Sequence, residues 1–303
     1  MILAVASGKG GTGKTTVSVN MARVMESEVF LLDCDVEAPN AHLFLQGSAV
    51  SEEVVNIPVP QVDEELCDGC GKCGQFCEFS AIVSYGTIPI VFPEMCHGCG
   101  GCKLVCPKRA ISETDKRIGV VETIQVDKAT LVMGRLDVGV AMAPPLIRAV
   151  RKHLPETGTA ILDAPPGTSC PVISAIRDTD FVILVTEPTP FGLHDLRLSV
   201  DLVRELGLPL GVVVNRYGAG DDRVHDYCRE SDVPILIEIP EDRRIAESYS
   251  RGHLIVDALP EYRGLFRTLL EKTKNIVEGK TISAETGLEV LSFQGQAARG
   301  VKS

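Results

Sequence analysis

Short, mostly apolar runs alternate with stretches of helical period along most of this chain. Ile2 to Ala6, Val29 to Leu32, Ala160 to Leu162, Phe181 to Val185, Leu210 to Val214 and Ile235 to Ile239 read as buried strands. Val17, Asn20, Met21 and Val24 follow the first run at helical spacing. Leu193, Leu196, Val200 and Val203 mark an amphipathic helix, and Leu265, Leu269 and Ile276 a final packing helix over Tyr262–Val277. A further helix is expected from Leu146 to Leu154, introduced by Pro144-Pro145, whose missing N–H groups do no harm in a first turn. This alternation predicts an α/β protein with a mostly parallel, doubly wound sheet covered on both faces.

The pattern breaks twice. From about Val59 to Glu113 the character changes, and after Gly279 the residues are small and polar with little periodicity. The expected division is an α/β body in two parts, 1–58 and 115–278, an insert at 59–114, and a loosely held, flexible tail at 279–303. That tail lacks the apolar face and basic flanks of a membrane-anchoring helix.

Composition narrows the reading. An apolar fraction of 45% in 303 residues is ample for a core. The formal net charge of −11 and the absence of tryptophan argue against a nucleic-acid partner, which needs clustered cations or stacking platforms. No apolar run approaches the roughly 18 residues of a membrane span. The N-terminus enters a strand without a charged leader region, so a cytoplasmic location is expected. Eleven cysteines would be many there unless they hold metal, and eight of them fall between positions 67 and 106.

The first loop carries the clearest chemistry. Gly8-Lys9-Gly10-Gly11-Thr12-Gly13-Lys14-Thr15-Thr16 fits G-x-x-x-x-G-K-[ST] between a strand and a helix. Backbone N–H groups of such a loop close around phosphates, Lys14 can neutralise their charge, and the Thr15 hydroxyl can bind Mg²⁺. Two later strands end in acids, at Asp33-Cys34-Asp35 and at Asp163-Ala164-Pro165-Pro166-Gly167, where an open α/β sheet has its ligand crevice. Helix capping is the plain alternative for the first pair.

Cys67, Cys70, Cys73 and Cys77 are followed by Cys96, Cys99, Cys102 and Cys106, an internal repeat offset by 29 residues. This spacing is the ligand pattern of bacterial two-cluster ferredoxins, in which the fourth cysteine of each run serves the other cluster. Cys67, Cys70, Cys73 and Cys106 are thereby assigned to one 4Fe–4S centre, and Cys96, Cys99, Cys102 and Cys77 to a second. A disulfide framework fits a cytoplasmic protein poorly, and zinc motifs do not give two interlocked runs of four. Glu78 follows Cys77 where the pattern usually has proline. His97, inside the second run, reads as a surface loop residue or as a charge that tunes the cluster.

With its extra lysine, Lys9, the first loop resembles the deviant Walker A loop of the MinD/ParA/Mrp superfamily of ATPases, to which the nitrogenase iron protein belongs. The resemblance covers roughly residues 1–278. It implies that Lys9 acts in trans in an ATP-sandwich dimer, either of identical chains or with a related ATPase. It also implies that Asp35 orients water as part of switch I and that Asp163, in switch II, coordinates Mg²⁺ as the Walker B residue. Asn215 would read adenine, and Pro240 to Asp242 would form the loop over the base. Cys170, near switch II, reads as structural or as a transient metal contact. The nearest subgroup resembled is that of MinD-superfamily ATPases with an inserted ferredoxin domain. The C-terminal C-x-x-C of Mrp-type carriers is missing, since Cys228 stands alone.

The resulting expectation is a slow, partner-stimulated ATPase that couples ATP or ADP to two 4Fe–4S clusters. A complete set of eight ligands ranks ATP-gated electron transfer first. Iron–sulfur cluster or metallocofactor assembly is the alternative, with a redox protein or a cluster acceptor as partner. A ParA- or MinD-like positioning role ranks last, because the acidic charge and plain tail weaken it.

Overall fold

The computed structural model describes residues 1–86 and 88–279, so the tail expected at 279–303 lies almost wholly outside the described residues. The chain begins with β1 (Ile2–Ala6), α1 (Lys14–Val24), β2 (Val29–Asp33) and β3 (Ser48–Val62). Next come α2 (Lys72–Phe76), β4 (Ile82–Val83), β5 (Ile90–Val91), α3 (Gly101–Leu104), β6 (Ile111–Val126) and β7 (Ala129–Leu136). The second half contains α4 (Ala143–Arg151), β8 (Thr159–Asp163), α5 (Cys170–Ile176), β9 (Phe181–Thr186), α6 (Pro190–Glu205) and β10 (Leu210–Tyr217). It closes with α7 (Arg223–Glu230), β11 (Ile235–Pro240), α8 (Arg243–Ser250), α9 (Ile255–Ala258) and α10 (Arg263–Val277).

Nine strands form one sheet in the order β11-β10-β9-β1-β8-β2-β7-β6-β3. The seven from β11 to β7 are parallel; β6 and β3 add an antiparallel edge. The expected mostly parallel α/β fold is therefore present. Strand periodicity explains why the central runs are apolar throughout. Leu3 and Val5 pack into one core with α1, α9 and α10, while Ala4 and Ala6 pack into another beneath α4 to α7.

The two long edge strands were not foreseen, and neither was β7. β3 and β6 pair from Ser48↔Gln125 to Val62↔Ile111. Pairing of β6 with β7 ends at Gly119↔Leu136, so Ile111 to Ile118 run on with their β3 partners as a free two-stranded ribbon. Because β7 is parallel to β2, this ribbon leaves the sheet at the carboxyl ends of the parallel strands. The expected insert boundaries fall inside it, where Val59 and Thr114 are register partners. At its tip sit α2, α3 and the β4–β5 hairpin around a small core of Cys73, Ile82 and Ile111.

Candidate nucleotide site and cysteine module

The loop between β1 and α1 owes its shape to glycine. Gly11 and Gly13 have φ of +79° and +99°, in the left-handed region. A Cβ on Gly13 would stand 2.4 Å from Asn215 Nδ2, and one on Gly8 2.4 Å from the Asp195 carbonyl oxygen. Gly13 is the N-cap of α1 and no side chain caps the helix, so the first-turn N–H groups and the positive end of the dipole are directed at this loop. Lys14 is 7% exposed. Burial pushes its ammonium down, while the charges of Asp163, Asp35 and Asp33 pull it back up.

Asp33 and Asp163 are register partners at the ends of β2 and β8, and both are fully buried. Burial raises both carboxyls, and the charge of Asp163 raises Asp33 further. Their hydrogen bonding separates their roles. Asp33 accepts the N–H groups of Asp35 at 3.1 Å and of Asn40 and Ala41 at 3.0 Å, which ties down the 35–41 loop. Asp33 thus anchors a loop and is not a helix cap, since the short 3₁₀ turn at Ala41–Leu43 has no side-chain cap. Asp35 is half-buried; burial raises its carboxyl and the charge of Lys14 lowers it.

Asp163 Oδ1 takes the Ser18 hydroxyl at 3.1 Å, but Asp163 Oδ2 is buried without a hydrogen-bond partner. Thr12 Oγ1 and Asn40 Oδ1 are in the same condition. Buried polar atoms are nearly always partnered, so the open oxygens of Thr12 in the first loop and of Asp163 at the end of β8 mark places for ligand or solvent. A divalent cation fits the donor set of Asp163 and Thr15, since hard oxygen ligands suit Mg²⁺.

Asn215, at the end of β10, donates from Nδ2 to the Thr12 carbonyl at 2.7 Å and accepts the Arg216 N–H on Oδ1 at 3.0 Å. Its amide thus clasps the phosphate loop. Pro240 ends β11. Asp242 caps α8, accepting the Arg244 N–H and the Tyr262 hydroxyl, each at 2.8 Å. The Arg244 guanidinium holds this carboxyl down at about 2. Its side chain is engaged within the protein, so contact with a base would fall to the backbone of 240–242. Two residues that sequence reasoning passed over join this region. Glu187 Oε2 lies 3.4 Å from the Lys9 amine and Glu187 Oε1 lies 3.0 Å from Arg216. Glu-Pro at the end of an apolar run was the only available signal.

At the ribbon tip, Cys77, Cys96, Cys99 and Cys102 line one narrow pocket with Phe79, His97 and Pro58. These are the four cysteines assigned together from the interleaved pattern. Cys73 is raised by burial and then by the charges of Cys67 and Cys70, and Cys106 packs into the same small core. The N–H of Gly98 donates to Cys96 Sγ at 3.4 Å and that of Ala110 to Cys106 Sγ at 3.3 Å. All eleven cysteines are free thiols. Among the described residues no three His, Cys, Asp or Glu side chains converge on a single metal ion. Two interlocked runs of four thiols form a donor set that suits 4Fe–4S clusters better than zinc. His97 is exposed and stacks on Phe79, with ring centroids 3.4 Å apart. Cys170 starts α5 and is exposed, so it has no packing role in the core.

Residues 3–255 match the CobQ/CobB/MinD/ParA nucleotide binding domain, and the chain belongs to that family. It is a P-loop protein of the MinD/ParA/Mrp class. Over 262 residues it is 32% identical to an uncharacterized protein of Methanocaldococcus jannaschii, covering 83% of this chain and 90% of that one. It is 25% identical to an iron-sulfur cluster carrier protein of Aquifex aeolicus, across 92% of this chain and 68% of that one. The septum site-determining protein MinD of Pyrococcus horikoshii, solved with Mg-ADP, shares the fold. Its TM-score is 0.58 at 24% identity, with 93% of this chain and 99% of that chain covered. Among the described residues no helix is long and apolar enough to cross a membrane.

Proposed function

We propose that this protein is a cytoplasmic ATPase that handles iron–sulfur clusters according to its nucleotide state. Lys14 and the loop amides bind the phosphates, Thr15 and Asp163 hold Mg²⁺, Asp35 orients the attacking water, and Lys9 acts on the nucleotide of a partner subunit. Bound Mg²⁺ supplies charge neutralisation at the β- and γ-phosphates; positioning by the chain does most of the rest. Cys67, Cys70, Cys73 and Cys106 hold one 4Fe–4S cluster, and Cys77, Cys96, Cys99 and Cys102 the other.

One observation carries the coupling: the ribbon that bears the cysteines is rooted at the 35–41 loop. The Leu136 N–H donates to the Val36 carbonyl at 3.0 Å, and the next residue's N–H, on Asp137, donates to the Ile118 carbonyl of the ribbon at 3.0 Å. Arg117 pairs with Asp137 through two contacts, at 2.8 and 3.2 Å. A loop that responds to the γ-phosphate would therefore pull on the base of the cysteine module.

Relatives named as iron-sulfur cluster carriers favour cluster assembly and transfer as the output, reversing the order drawn from the cysteine count. Gated electron transfer stands as the second reading, because eight cysteines in two complete sets suit resident redox centres. Anaerobic purification, followed by incubation with an apo-acceptor with and without ATP, separates them. ATP-dependent loss of iron to the acceptor supports carriage. Retained clusters whose EPR signal or potential shifts with ATP support gating. Clusters indifferent to ATP in both assays refute the coupling.

A further inference from the structure

Glu187 follows β9 and its side chain is 9% exposed, yet it meets two cations, one on each oxygen. Lys9 lies at 3.4 Å and Arg216 at 3.0 Å, with 33% and 55% of their side chains exposed. A carboxylate this enclosed requires opposite charge nearby. It has one more cation than it needs, and one of the two comes from the phosphate loop. The other follows Asn215, whose amide clasps that loop at Thr12.

We infer that Glu187 is the resting seat of Lys9, holding the lysine within its own subunit until a partner's nucleotide claims it. Arg216 is the counter-ion that stays when Lys9 leaves. The inference rests on the trans-acting role proposed for Lys9. The energetics follow from the pairing. Moving Lys9 alone would strand a buried negative charge, which is far costlier than breaking an exposed pair. With Arg216 in place the carboxylate keeps a partner, so Lys9 exchanges one anion for another. Arg216 adopts a left-handed backbone, φ 55°, which non-glycine residues rarely take. Its main-chain N–H is bonded to the Asn215 side chain, so capture of a base at Asn215 and release of Lys9 act through adjoining residues.

Glu187 is thus a positioning residue, and its substitution should favour the dimer. The test is sedimentation velocity of the full chain with Mg²⁺ and a non-hydrolysable ATP analogue. Glu187→Gln should lower the dimer dissociation constant about fivefold, and Arg216→Gln should raise it by about the same factor. The double variant should behave as Glu187→Gln, because Arg216 acts only through that carboxylate. If Lys9→Ala abolishes dimerisation while Glu187→Gln leaves it unchanged or weakens it, the Glu187 assignment fails and the trans-acting lysine stands. If Lys9→Ala dimerises like the parent protein, the trans role fails and this inference with it. Should Glu187→Gln not fold, Arg216→Gln on its exposed side chain decides alone, and unchanged dimerisation there overturns the inference.

Discussion

Three carboxylates, from Asp33, Asp35 and Asp163, act through their charge on the desolvated ammonium of Lys14. Their division of labour depends on what else each one touches. Asp33 is taken up by three backbone amides, whereas Asp163 keeps one buried oxygen without a partner. Sequence placed acids at both strand ends and the family resemblance put Asp35 ahead of Asp33, but the three amides that occupy Asp33 depend on the path of the loop beyond and were not legible. The glycine at position 13 was legible because its motif demands it, and the structure adds the cost of changing it. Gly13→Ala forces a left-handed alanine into Asn215, so it should lose about 1–2 kcal/mol of stability and nearly all ATP affinity, checked by urea unfolding and nucleotide titration. Asp242 gives a pH signature. Its folded value, about 2, lies below the ordinary 3.8, so its contribution is present above about pH 4 and disappears as pH falls through 2. Its partner Arg244 has about half of its side chain in solvent, which screens the pair, so Asp242→Asn should cost about 1 kcal/mol at pH 7. The gap between the two unfolding curves should close on acidification from pH 5. A gap that persists at the lowest pH where both fold would refute the assignment.

Among the elements, the strands with the strongest apolar runs were read correctly and the ribbon was not. The central strands are buried on both faces and leave unbroken apolar runs. The outer half of β6 reads Glu113-Thr114-Asp115-Lys116-Arg117, polar and mostly exposed where the ribbon runs beyond the sheet, so no period-2 apolar pattern marks it. Its partner strand carries Pro58 and Pro60, which are tolerated because β3 is the sheet edge. The root of this ribbon has a bidentate ion pair, Arg117 with Asp137, beside the backbone bonds that lead to Val36. Asp137→Ala should leave the melting temperature and ATP affinity within error of the parent, because the pair is exposed. It should weaken the response of the cluster EPR signal, or of cluster transfer, to ATP. A full response in Asp137→Ala would move the coupling elsewhere.

At the scale of the whole molecule, the cysteine runs are nearly symmetric in sequence, and their proposed combination comes from the ferredoxin pattern, in which the fourth cysteine of each run serves the other cluster. If each run closed on itself, Cys77 would join Cys67, Cys70 and Cys73. Cys77 lines the same pocket as Cys96, Cys99 and Cys102, and it also packs, with Cys102 and Cys106, against the small core around Cys73. In the proposed crossed ligation each cluster would staple the two repeats together, and both would hold the tip of the ribbon. Paired substitutions read this directly. Cys67→Ser with Cys106→Ser removes two ligands from one proposed site and none from the other, so iron should fall from about eight to about four per chain. Cys67→Ser with Cys77→Ser removes one ligand from each, so both clusters should lose iron or become labile to chelator. Sequential ligation predicts the reverse: the first pair would damage both clusters and the second only one. Iron content and the amplitude of the reduced-state EPR signal, measured on anaerobically prepared protein, separate the two outcomes whether the clusters prove to be cargo or resident centres.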